Sequence, residues 1–192
     1  MKRLIPFFLV ALALTGCQEE QAEDTTPVEI TAETLGHYCQ MNLAEHDGPK
    51  AQVHLKGLPG KPLFFSQVRD AIAYQRLPEQ SHEILAIQVQ DMGAPGATWE
   101  NPGKGNWIAA EDAYYVVGSR REGGMGAPET VPFGTQPAAL AFAAAEGGQV
   151  LRLDQIQDDM VLTPVDAAHD AGHEDDADYM ERLRSLTREA GG

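Results

Sequence analysis

The chain has 192 residues, 29 of them acidic and 14 basic, and its net charge of −15 becomes −17 once Lys2 and Arg3 leave with a leader. Such a surface repels phosphate backbones and argues against a nucleic-acid partner, while a 43% hydrophobic content argues against disorder throughout. Two cysteines, Cys17 and Cys39, are too few for a disulfide framework, a closed thiolate zinc site or an iron–sulfur cluster.

A basic start at Lys2-Arg3 is followed by an apolar run, Leu4 to Leu14, too short to span a bilayer. The run ends in Leu14-Thr15-Gly16-Cys17, which resembles the bacterial lipobox. That resemblance implies removal of residues 1–16 and lipidation of Cys17, where several acyl chains at ~0.8 kcal/mol per methylene would hold the protein to a membrane. Gln18, in place of the Asp that resembles an inner-membrane retention signal, points to the outer membrane, facing the periplasm. Residues 17–36 are acidic, lack apolar periodicity and read as a flexible tether.

Residues 37–165 read as a diverged duplication of an α+β unit. In the first unit, 37–105, Ala51 to Leu55 alternates as a strand, a Gly57–Gly60 turn leads to a second strand over Lys61 to Phe65, and Ser66 is placed to cap a helix reaching Gln75. Glu83 to Gln90 is the third strand. The second unit, 106–165, repeats the order with strands at Ala113–Ser119 and Glu129–Phe133 and a helix capped by Thr135 with Pro137 in its first turn. Gly147-Gly148 stops that helix before a last strand, Gln149 to Ile156. Phe65-Ser66-Gln67 and Phe133-Gly134-Thr135 mark the same junction, so two tandem ββαβ units with mainly antiparallel sheets are expected. Residues 166–192 form a tail with eight acids, three arginines, His169 and His173.

Chemistry concentrates where soft donors occur. In an extended Cys39-Gln40-Met41, thiol and thioether would share one face, and a thiolate–thioether pair selects monovalent copper over harder ions. A third donor must come from elsewhere, with Met92, Met125, Met160 and His37 as candidates. Met125 stands out because it lies in Gly123-Gly124-Met125-Gly126, among residues that pack nothing and permit close backbone approach. Met92 directly follows a strand and is the weaker choice. His46, beside Asp47-Gly48-Pro49, reads as a turn residue, and His54 and His82 as structural. His169 and His173 amid carboxylates would form at most a loose secondary site for divalent copper.

The lipobox, Tyr38-Cys39-Gln40-Met41-Asn42 and the run Met125 to Phe133 with its Ala-Pro-Glu-Thr-Val-Pro core together resemble the NosL family. The resemblance implies a periplasmic copper lipoprotein that delivers Cu(I) for the copper–sulfide centre of nitrous oxide reductase. Its implied partners are a membrane complex with an ABC transporter and a periplasmic component. It also implies a fold related to organomercurial lyase, and Cys39, Met41 and Met125 as ligands. His37 and Met92 match the family pattern poorly. Two other classes compete: a thiol enzyme of peroxidase or organomercurial-lyase type using Cys39, and a metal-free docking lipoprotein. The former lacks a resolving cysteine.

Overall fold

A computed structural model of the chain describes residues 23–163. Strands β1 (Ala51–Leu55) and β2 (Leu63–Phe65), helix α1 (Val68–Arg76) and strand β3 (Ile84–Gln90) form the first ββαβ run. Strands β5 (Tyr114–Val117) and β6 (Val131–Phe133), helix α2 (Gln136–Glu146) and strand β7 (Gln149–Leu151) form the second. Both place their first strand centrally, with sheet orders β2-β1-β3 and β6-β5-β7, and every pairing is antiparallel. The shared topology is that of the expected duplication.

Strand β4 (Trp107–Ala109), which no sequence pattern announces, extends the first sheet by pairing Gln90 with Trp107 and Gln88 with Ala109. The last expected strand stops at Leu151. A 3₁₀ turn (Leu153–Gln155) and helix α3 (Asp158–Leu162) then return to α1, where Arg76 donates to the carbonyls of Ile156 (2.7 Å) and Leu153 (3.2 Å). Among the described residues no helix is long and apolar enough to cross a membrane.

Period-two alternation explains how the two sheets share their cores. Tyr115 and Val117 of β5 point into the larger core, with Val53, Phe65, Val68, Ile72 and Val89, whereas Val116 points into the smaller one with Val131, Phe133 and Ala139. Side chains of this size contribute about 1.5–3 kcal/mol each when fully buried.

β1 is buried on both faces. Its Gln52 and His54 lie under the N-terminal segment, whose Val28 exchanges two hydrogen bonds with the Gln52 amide (2.8 and 3.2 Å). The Glu23 carboxylate accepts from the Gly57 amide (3.0 and 2.8 Å), and Glu29 from that of Gly105 (3.0 Å). Of the stretch expected as a tether, the part from Glu23 onward is therefore fastened to the body.

The helix starts depart from expectation. Ser66 does not cap α1; the cap position is Gln67, whose side chain makes no capping bond. Glu129, from the second unit, supplies it instead, accepting from the Arg69 amide at 3.0 Å. Thr135 occupies the cap position of α2 without a side-chain bond. There Asp91, from the first unit, accepts from the Gly134 amide at 2.8 Å. α2 ends as expected at Gly147, whose φ of +78° favours glycine.

Candidate metal centre

Cys39 lies at a turn, not in the extended segment expected. Residues Leu35 and Asn42 bridge, the Gly36 amide donates to the Met41 carbonyl (3.0 Å) and the Gln40 amide to the Gly36 carbonyl (2.9 Å). Gln40 adopts φ +54°, the one positive value at a non-glycine among the described residues. Its own amide side chain holds it there, donating to the His37 (2.6 Å) and Gly36 (3.3 Å) carbonyls. The turn sets the Cys39 sulfur over Gly36 and puts Met41 on the returning arm. The loop is fixed to β2 by the His37 amide, which donates to the Phe64 carbonyl at 2.6 Å.

Asn42 then caps a 3₁₀ turn (Leu43–Glu45), its side chain accepting from the Ala44 amide (3.0 Å), and the turn delivers His46 to the thiol. Cys39 Sγ and His46 Nε2 are 3.9 Å apart. On the far side of the ring, Nδ1 lies 2.8 Å from the Gly124 carbonyl oxygen. A carbonyl only accepts, so Nδ1 carries a proton, and in the neutral ring it is Nε2 that presents a lone pair to the thiol. This backbone bond sets the tautomer in the way outer-sphere partners do for histidine ligands. The carbonyls of His46 (2.6 Å), Asp47 (3.2 Å) and Gly48 all accept from the buried Lys50 ammonium. Burial pushes the Lys50 pKa down to about 8, with Glu129 and Asp47 opposing the shift.

Gly124 belongs to the Met125 loop, so the same bond docks that loop beside Cys39. Glu122 and Pro128 bridge at its base, and the Gly123 amide donates to the Ala127 carbonyl (2.8 Å). A Cβ on Gly124 would fall 2.5 Å from His46 Cβ, and one on Gly123 would fall 2.5 Å from Glu129 Oε2 and 2.7 Å from Gln67 Cγ. The glycines are thus needed for close approach. Beneath them Gln67, fully buried, accepts from the Met125 amide at 2.7 Å. Glu129 Oε1 accepts from the Arg69 and Thr130 amides, while its Oε2 and Gln67 Nε2 have no hydrogen-bond partner. Burial raises the Glu129 pKa to about 8, against the lowering pull of its two amide donors.

The structure therefore gathers Cys39, His46 and the Met125 loop, with Met41 following Cys39 on the same hairpin. Met41 and Met125 are each 45% exposed, and Leu35 (54%) and Tyr38 (49%) add further exposed apolar surface to the Cys39 hairpin. Among the described residues no three His, Cys, Asp or Glu side chains converge as a metal cage.

The other candidates sit elsewhere. The His37 ring packs edge-on against Phe65 and Tyr74 (5.6 and 5.7 Å between centroids). Met92 packs on the smaller core and Met160 on the larger. Cys17, His169 and His173 lie outside the described residues. Sequence reasoning missed His46, Gln67, Glu129 and the thiol's seat on Gly36. No local spacing reveals them, because His46 meets Cys39 only after an intervening 3₁₀ turn and Gln67 meets Met125 across the two units.

A family model described as NosL matches residues 27–161. The chain belongs to the NosL family. The copper-binding lipoprotein NosL of Achromobacter cycloclastes is 60% identical over 195 residues, covering 100% of both chains. That of Stutzerimonas stutzeri is 32% identical over 169 residues, covering 86% of this chain and 85% of its own. The crystal structure of the copper chaperone NosL from Shewanella denitrificans superposes with a TM-score of 0.61 at 31% identity, covering 67% of this chain and 92% of that one. The mixed α/β architecture with antiparallel sheets is the NosL fold.

Proposed function

We propose that the protein is a lipid-anchored copper carrier, not an enzyme, that holds Cu(I) through Cys39, His46, Met125 and Met41. The observation that carries this reading is the convergence of a thiol, an imidazole held by a backbone carbonyl and the glycine loop that carries Met125. A thiolate, an imidazole and thioethers form a soft donor set suited to Cu(I). Binding removes the thiol proton, so the thiolate offsets the single positive charge of the ion. In the neutral His46 ring the proton sits on Nδ1 against Gly124, so Nε2 is the free donor and joins without a tautomer change. Thioethers are neutral and weak, and on an exposed rim they yield readily to donors of a recipient. That exchange suits a carrier that must release its cargo.

The copper names carried by the three relatives support this reading, as does the likeness to the lipobox at Cys17. In the same proposal, the carrier is held by Cys17 lipid to the outer membrane, facing the periplasm. It passes Cu(I) to the assembly of the copper–sulfide centre of nitrous oxide reductase, through a membrane complex with an ABC transporter and a periplasmic component. The acidic surface would steer it to a basic patch on that partner.

Competition for Cu(I) against a chromophoric chelator tests the site: Cys39→Ala is expected to abolish tight binding, and undiminished affinity would refute it. X-ray absorption of the Cu(I)-loaded protein should show sulfur together with one nitrogen scatterer. Delivery is tested by the copper content of the reductase in cells whose only copy of this protein is Cys39→Ala.

A further inference from the structure

The attachment of the N-terminal segment fixes where the chain that leads back to Cys17 leaves the body. Glu23 is bonded to Gly57 in the turn between β1 and β2. Cys17 precedes it by only six residues, a span of at most about 20 Å when fully extended. From Glu23 the chain runs back along β1, through Val28 at Gln52, to His37 at Phe64. In the sheet, Leu55 is at the turn end of β1 while Ala51 pairs with Phe65 at the other end, next to Ser66-Gln67. Glu23, the first described residue after the lipid site, and the metal loop are therefore at opposite ends of β1, separated by the strand's length of about 13 Å and by the loops beyond it.

The turn itself has the composition of a membrane-contacting tip. Leu58 is 41% exposed at its apex. Gly57 and Gly60 have positive φ, and open space surrounds the position of a Cβ at each. Four lysines remain outside the leader of this acidic chain, and two of them, Lys56 and Lys61, flank Leu58. Lys56 also pairs with Glu83 at 3.0 Å. An apolar apex between lysines whose stems can lie along the interface fits a bilayer surface.

We infer that the β1–β2 turn, with Leu58 at its apex, rests on the membrane that holds the Cys17 lipid, and that the metal loop faces away from it. The inference depends on the anchorage proposed above. The six-residue leash keeps the turn near the bilayer, and with the Leu58 apex seated there the copper end is presented outward, within reach of a soluble domain.

The test uses the full-length lipidated protein in phosphatidylethanolamine–phosphatidylglycerol vesicles with brominated acyl chains, which quench tryptophan on contact. Leu58→Trp is compared with Leu35→Trp at the metal loop, each measured as the emission added above native Trp99 and Trp107. The added emission at 58 is expected to fall severalfold more than that at 35. Equal quenching at both positions, no quenching at 58, or stronger quenching at 35 would overturn the inference while leaving anchorage intact. A chain that lacks acyl mass and elutes from the vesicles would instead overturn the anchorage reading, and this inference with it. Unaltered Cu(I) affinity of Leu58→Trp and a retained thermal transition for both variants establish that each is folded.

Discussion

Replacing Gly36 with alanine should damage the copper site more than the fold. A methyl at that position would lie 2.4 Å from Cys39 Sγ and 3.3 Å from Leu43 Cδ1. Apolar heavy atoms rest at about 3.5–4 Å, so something must yield by roughly 1 Å or more. Leu43 is fully buried and hemmed in, whereas the half-buried sulfur can swing about its χ1 bond. That swing carries it from His46 Nε2 and out of a staggered rotamer, which costs about 0.5–1.5 kcal/mol before any loss of ligand alignment. Cu(I) affinity should therefore fall about tenfold, the equivalent of 1.4 kcal/mol. Chelator competition measures it, and the metal-free thermal midpoint should move by no more than about 4 °C. Wild-type affinity in the variant would refute the idea that the thiol needs its seat on Gly36. A collapsed thermal transition would show that the core at Leu43, and not the sulfur, had absorbed the methyl.

Three more substitutions bear on the geometry of the site and its support. Gln67→Met keeps the volume but leaves the Met125 amide unheld; Cu(I) affinity should drop about fivefold to tenfold, the value of a buried hydrogen bond, and not at all in a Met125→Ala background. Equal losses in both backgrounds would show that Gln67 acts through the fold at large. His46→Ala should weaken Cu(I) binding and remove the nitrogen scatterer from the X-ray absorption spectrum, whereas an unchanged spectrum would exclude His46 as a ligand. Glu129 has a folded-state pKa raised from 4.5 to about 8 by burial. Its native state thus holds a proton that the unfolded state has released, and its contribution to stability, full below pH 4.5, is lost as pH rises to about 8. Glu129→Gln should flatten the thermal midpoint over that window, and an identical pH dependence in wild type and variant would contradict the assignment.

Local pattern made much of this architecture legible. The alternation in Ala51–Leu55, the repeated Phe-x-x helix junction and the Gly147-Gly148 stop are short-range signals, and each element lies close to where they place it. The segment 107–109 was not legible, because Trp107-Ile108-Ala109 becomes a strand only through pairing with β3. The Ser66 cap was expected from local propensity and lost to a tertiary competitor, since the Glu129 carboxylate already fills the donor it would have taken. At the site, Cys39 and Met125 were visible as residue types out of place. The extended Cys-x-Met geometry was an error of local reasoning: the positive φ at Gln40 turns the chain between the two sulfurs. His46 looked like an ordinary turn residue because its partners, Cys39 and Gly124, are joined to it by folding alone.

Asp91 and Glu129 reach in opposite directions across the duplication, each holding the start of the other half's helix. A gene cut between the two units should therefore yield fragments that are each missing a clasp and that become ordered only when mixed. This exchange of acids, together with the core that Tyr115 and Val117 share with the first sheet, joins the two halves into one body.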